Sequence, residues 1–395
     1  MRVIKASDIF QTHLEQTISV FRQWYLLSIR LSLSQGSTRT HRAMGSVSEC
    51  SSACQATDVH FVKLDKTCFK WFHGATQSEA VDMDFSTMHL CLVCHAEPDV
   101  WDGGYASIDK VLPRFVVALE GIRDHLGTTP RIAWCLTGEV AKNRPRQFKS
   151  LLEFGHEIGV HSHFPGETGT LEHSQNLNFA NLGRFDLWFP ELCRQIVDAG
   201  FPPPRTHASW MFAYRDAMTG VLAGAGISVD CSVCYGGAHY LPGGSLLADS
   251  IGRSDGKPYR PTETDHCSEG DGPLVEIPVS GGFGSYWEPN RKGGFDYFSP
   301  IASDHEKQRQ LMLSDERLGS LSPGEVDIFQ VHFHLYEFLE PSGISEARLN
   351  RAAAMLRFMA CDDRVRFSTP TEAARDWLSR IEVQNRRVSD PADHS

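Results

Sequence analysis

The hydrophobic positions of this chain change period along its length, and the changes lay out an alternation of strands and helices. Met88-His89-Leu90-Cys91-Leu92-Val93-Cys94 is a compact apolar run, the pattern of a strand covered on both faces. Val111, Leu112, Phe115, Val116, Leu119, Ile122 and Leu126 recur at helical spacing and predict a core-facing helix over 111–126. Ile132-Ala133-Trp134, closed by Cys135 and Leu136, reads as the next strand. A helix over 147–154, capped by Gly155, leads into a short strand that ends in His161-Ser162-His163. A helix over 185–199 carries Leu187, Phe189, Leu192, Ile196 and Val197 and is stopped by Pro202-Pro203-Pro204. A short helix over 218–225 feeds a strand over 226–233, and Leu274 to Val279 forms another. Towards the C-terminus come an alternating strand from Val326, helices over 349–359 and 371–381, and between them the strand Val365-Arg366-Phe367. Strand–helix alternation of this kind is the grammar of a parallel α/β fold.

Some stretches break the pattern. Residues 1–86 read as an N-terminal extension, partly disordered: 9–33 fits one amphipathic helix, and 34–56 is rich in Ser, Thr, Gly and Arg. Met88, directly before the first strand, offers an alternative start. Residues 87–382 form the expected folded domain, and 383–395 a polar tail. Within the domain, 236–272 is rich in Gly, Ser, Asp and Pro and predicts a long loop over the functional face.

Polar residues with chemical potential fall at strand ends, where parallel α/β folds gather their functional groups. Side chains alternate along a strand, so His161 and His163 share a face and form a ready pair of metal ligands. His95 and Glu97 share a face in the same way after the first strand. In the strand from Val326, Ile328, Gln330, His332 and His334 lie on one face; Phe329, Val331, Phe333 and Leu335 lie on the other. Phe283, Tyr286 and Trp287 offer either an aromatic surface for a sugar ring or ordinary loop packing.

The stretch Gly155-His156-Glu157-Ile158-Gly159-Val160-His161-Ser162 resembles the second motif of the NodB-type polysaccharide deacetylases, the carbohydrate esterase family that removes N- or O-acetyl groups. His95-Ala96-Glu97-Pro98-Asp99 resembles the first motif, with His95 in the place of its leading aspartate. Arg205 to Trp210 resembles the third, and the strand ending in His332-Phe333-His334 the fifth. Leu274 to Val279 is similar to the family's E-I-P-V strand, and Phe367 to Ala373 to its C-terminal pattern. The resemblance runs from about 88 to about 378 and is weakest between 236 and 325. Pro165 stands where the family has its second histidine, and His163 is the nearest substitute.

The resemblance implies a distorted (β/α) barrel of the NodB type, acting as a metal-dependent hydrolase that removes an acetyl or formyl group from a carbohydrate or glycoconjugate. It implies a divalent metal, zinc first, held by Glu97, His161 and His163. His95 is the general base, His334 the general acid and Arg205 the residue that orients a carboxylate. Trp210, Tyr286, Trp287 and His332 are expected to line the substrate.

Composition narrows the partners. A net charge of −11 argues against a general nucleic-acid partner. No run approaches the length of a membrane span, and no secretory signal is read at the N-terminus, so a cytoplasmic protein is expected. The eleven cysteines show no framework spacing, and Cys91/Cys94 and Cys231/Cys234 lie in apolar runs, as buried reduced thiols would. No Walker or dinucleotide fingerprint and no G-x-S-x-G elbow appears. Two rivals remain. His95 and Pro165 depart from the family and suggest an inactive binding or regulatory protein on the same barrel. Glu97 and Asp99 suggest a glycosidase, which needs two carboxylates.

Overall fold

The computed structural model describes residues 86–99, 102–162, 185–210, 214, 218–233, 238–240, 246–249, 256–280, 321–322 and 324–389. The N-terminal extension, His163, Pro165, Cys234, Tyr286 and Trp287 lie outside the described residues.

In chain order the elements begin with β1 (Thr87–Ala96), α1 (Leu112–Leu119), β2 (Ile132–Leu136), α2 (Gly138–Asn143), α3 (Pro145–Leu152) and β3 (Glu157–Ser162). There follow α4 (Phe185–Asp198), β4 (Thr206–Ser209), α5 (Met218–Gly224), β5 (Val229–Asp230), β6 (Ala238–Tyr240), β7 (Leu246–Asp249) and β8 (Val275–Glu276). The last part holds β9 (Val326–His334), β10 (Leu339–Glu340), β11 (Gly343–Ile344), α6 (Glu346–Met359), β12 (Val365–Phe367) and α7 (Pro370–Ser389).

The strands β9, β1, β2, β3, β4, β5 and β8 pair in that order, all parallel. The sheet curls until its edges meet at a bridge between Val279 and Gln330, where Ser280 N donates to Gln330 O at 3.3 Å. This is the distorted α/β barrel that the sequence implies. The distortion centres on β1. Its C-terminal half pairs with β2, while Met88, Leu90 and the intervening His89 pair with β12 on the same edge.

Burial on both sides explains the apolar runs. Met88, Leu90 and Leu92 pack outward with Trp134 and the helices, whereas Cys91, Val93, Cys135, Ala208, Cys231 and Ile328 fill the barrel. The interior residues are small because a narrow barrel leaves little room. Gly159 marks the tightest point: a Cβ there would lie 2.7 Å from both Cys135 Sγ and Thr206 O. Small residues also let α7 close the N-terminal end, with Ala373, Ala374, Trp377 and Leu378 against the interior cluster. That helix starts with a capping box, in which Thr369 N donates to Glu372 Oε2 at 3.0 Å and Glu372 N to Thr369 Oγ1 at 3.4 Å. Glu157 ties its first turn to the sheet, accepting from Thr206 Oγ1 at 2.5 Å and Thr371 Oγ1 at 2.6 Å.

Some expectations shift. The helix expected over 111–126 ends at Leu119, because Asp124 takes the backbone N–H groups of Leu126, Thr128 and Phe367 and holds a turn instead. Thr137 caps α2, which the pattern did not predict. Cys91, Cys94 and Cys231 are buried free thiols, and burial pushes each thiol pKa up. Cys91 faces the interior and Cys94 the helices, so the C-x-x-C pair does not converge. Among the described residues no helix is long and apolar enough to cross a membrane.

Candidate metal centre

The C-terminal ends of β1, β3 and β9 bring five side chains together. Strand register sets the meeting: His95 lies beside His334 and Val93 beside His332 on β1 and β9. The His95 ring centroid is 3.9 Å from that of His161, 4.1 Å from His332 and 5.0 Å from His334. Glu97, one residue past β1, stands between two of these rings, with Oε2 3.6 Å from His161 Nε2 and Oε1 3.5 Å from His334 Nε2. All five side chains are largely buried; the most open is His334, whose side chain is 15% exposed.

Neighbouring groups fix how the rings point. His161 Nδ1 donates to Ala208 O at 2.8 Å, which directs Nε2 toward Glu97. His334 Nδ1 donates to Glu337 Oε1 at 3.3 Å, and Glu337 also accepts from the His334 backbone N–H at 3.2 Å. The His334 ring stacks on Tyr336 at 4.7 Å.

The environment separates the charge states. Burial lowers the His332 pKa well below the ordinary imidazole value, helped by His334 and His161 and opposed by Glu97. Burial thus favours the neutral form of His332. At His334 burial acts downward too, but the hydrogen bond and charge of Glu337, with the charge of Glu97, outweigh it and raise the pKa. Two histidines two residues apart are thus pushed in opposite directions, as in sites that need both a neutral donor and a proton source.

This donor set suits a divalent metal. Bonds of roughly 2.1 Å at tetrahedral angles hold donor atoms roughly 3.4 Å apart. The Glu97–His161 separation, 3.6 Å, is of that size. Ligand atoms of His95, His332 and His334 also lie within 4.8 Å of one another.

The structure thus brings His95, Glu97, His161, His332 and His334 together. It changes other expectations. His332, expected at the substrate, is 0% exposed and sits deeper than His334 on the same strand face, so it belongs to the cluster itself. Arg205 precedes β4, at the opposite end of that strand from the cluster. It is exposed and donates to Gly226 O at 3.3 Å, so it orients no carboxylate there. Trp210 is only 4% exposed, a buried ring where a sugar-facing one was expected. Asp99 is turned back into its own loop, accepting from Ala106 N at 2.6 Å and Ser107 N at 3.2 Å. Sequence reasoning missed Glu337, although its place three residues after His334 in a tight turn was a signal of contact.

A second buried ionisable group lies on the outer face of the sheet, since Asp230 and Glu276 alternate with the interior residues Val229, Cys231 and Val275. Asp230 accepts from His207 Nδ1 at 2.8 Å, Ser232 Oγ at 2.5 Å and His266 Nε2 at 2.7 Å. His266 Nδ1 meets Thr219 Oγ1 at 2.9 Å, and Glu276 Oε1 accepts from Val233 N at 2.9 Å. Every member is hydrogen-bonded inside the network, which ties His266 and its loop to β5 and β8.

Neither a protein-family model nor a curated protein matches the chain. Among solved structures it is similar to a candidate polysaccharide deacetylase from Mycobacterium smegmatis, at 15% identity and a TM-score of 0.47, over 74% of this chain and 91% of that one. It is similar to a family 4 carbohydrate esterase from Streptomyces lividans in complex with acetate, at 12% identity and a TM-score of 0.34, over 72% and 95% of the two chains. A 4-alpha-glucanotransferase from Thermococcus litoralis is similar at 13% identity and a TM-score of 0.42, over 75% of this chain and 40% of that one.

Proposed function

We propose that this chain is a metal-dependent hydrolase that removes an acetyl or formyl group from a carbohydrate-like substrate. The observation that carries the reading is the convergence of four imidazoles and one carboxylate at the C-terminal mouth of the barrel. The motif resemblance of 155–162 supports the same chemistry.

Glu97 and His161 would hold the metal, with the fully buried His332, whose neutral form is favoured, as third donor. A bound divalent ion supplies Lewis acidity to the acyl carbonyl and lowers the pKa of water. His95 accepts the proton of the attacking water. His334, its ring held by Glu337, gives a proton from Nε2 to the departing nitrogen or oxygen as its bond to the acyl carbon breaks. Glu337 holds the ring so that Nε2 is the atom presented.

The test is metal analysis of the purified protein together with acetate release from acetylated chitooligosaccharides and acetylated xylan. About one equivalent of zinc, cobalt or nickel and measurable release are expected. Protein without stoichiometric metal would favour a binding protein on the same barrel.

A further inference from the structure

The barrel has a second recess, at its N-terminal end and away from the histidine cluster. A cavity of about 410 Å³ opens there between β1, β12 and α7. His89 and Arg366 are register partners on β1 and β12, so both side chains turn to the same side of the sheet. From α7, Glu372, Arg375, Asp376 and Ser379 line the cavity at i, i+3, i+4 and i+7, a polar stripe on one helix face. The apolar stripe of the same helix, Ala373 to Leu378, packs into the barrel.

The charges in the recess do not balance locally. Glu372 Oε1 pairs with Arg131 at 2.5 Å and its Oε2 accepts from Thr369 N. Asp376 Oδ2 meets His89 Nε2 at 2.9 Å, and its Oδ1 lies 3.5 Å from Arg380. The other ring nitrogen of His89 is 2.7 Å from Ser368 Oγ. Both acids and the imidazole are thus committed. Among the described residues neither Arg366 nor Arg375 has a carboxylate partner, and Arg366 Nε is buried with no hydrogen bond. A buried guanidinium N–H without an acceptor is costly unless a ligand or water supplies one.

We propose that this cavity binds a small oxyanion-bearing molecule, whose phosphate or carboxylate group is held by Arg366 and Arg375. The guanidinium fork matches both groups in shape and charge. The cavity volume lies within the roughly 300–1,000 Å³ typical of small-molecule sites. A ligand there joins β12 to α7, the helix that plugs the barrel, so its binding stabilises the fold.

The experiment is calorimetric titration of the full chain with inorganic phosphate and with acetate, at constant ionic strength, with melting curves alongside. At least one of them should bind and raise Tm. Phosphate alone indicates a phosphate-bearing ligand, and acetate points to a carboxylate. Arg366→Ala and Arg375→Ala should each weaken that binding about tenfold or more. Arg375 is exposed on a helix, so Arg375→Ala keeps the fold, and Arg375→Glu should abolish binding by charge reversal. Absence of binding to the wild type, or binding equal in wild type and both arginine variants, would overturn the site. The second result would place the bound anion elsewhere on the protein.

Discussion

His161 and Ala208 are linked across adjacent strands, the imidazole Nδ1 donating to the backbone carbonyl at 2.8 Å. Because the acceptor is backbone, the ring is held by the sheet itself and its Nε2 is turned to Glu97 whatever the neighbouring loops do. This is how a seven-strand barrel with a narrow interior keeps an imidazole in one orientation.

His161→Ala should therefore remove bound metal while the fold survives, since the strand keeps its hydrogen bonds. Metal content by mass spectrometry and the far-ultraviolet circular dichroism spectrum report the two effects separately. Full metal occupancy in this variant would sink the assignment of His161.

His95 and His332 are 4.1 Å apart by ring centroids yet are given different work, and two substitutions separate them. His95→Ala should retain metal and lower kcat by roughly 10²–10⁴-fold, the effect of losing a general base. His332→Ala should lose metal. His95→Asp puts another base at the same strand end and should keep activity. If the metal follows His95 and not His332, the two roles are exchanged.

Much of this was legible in the sequence. The strand at Met88 to Cys94 and the alternating faces of β9 came from periodicity, the Gly155-to-Ser162 junction from its glycine cap and motif, and the pairing of His95 with Glu97 from alternation. What was not legible depended on strand pairing. Nothing local says that β9 returns beside β1, so the place of His332 within the cluster waited for the register of Val93 with His332. Arg205 failed for a related reason. The motif order suggested a strand end, but the strand starts after Arg205 and carries it to the other mouth. The network of Asp230, His266 and Glu276 joins a strand to a polar segment that composition described only as loop.

Gly159 offers a test of how tightly β3 is set. Its Cβ would meet Cys135 Sγ and the Thr206 carbonyl at 2.7 Å, one of them backbone that cannot swing away. Gly159→Ala should destabilise the protein by about 1–3 kcal/mol, the usual range for overpacking. Urea denaturation should show a lower midpoint with unchanged slope. A Cys135→Ala background removes the sulfur contact alone and should restore part of the loss; an unchanged midpoint in Gly159→Ala would show that the strand can shift.

The outer-face network should make stability fall on the alkaline side. Burial acts to lower the His266 pKa, but its hydrogen bonds and charge pairing with Asp230 and Glu276 dominate and raise it from 6.5 to about 10. Burial, then the charge of Asp230, raises Glu276 from 4.5 to about 8. In both cases the folded state holds a proton that the unfolded chain releases at lower pH. The Glu276 contribution is full below about 4.5 and is lost as pH rises to about 8. That of His266 is full below about 6.5 and is lost as pH rises to about 10. Asp230 acts the other way, its pKa held down by His207 and His266 against burial, so its contribution disappears only in strong acid. Tm measured from pH 6 to pH 10 should therefore decline steadily. His266→Gln should start less stable and lose less Tm over pH 7 to 10. A wild-type Tm that stays flat over that window would mean that the network does not hold its protons in the folded state.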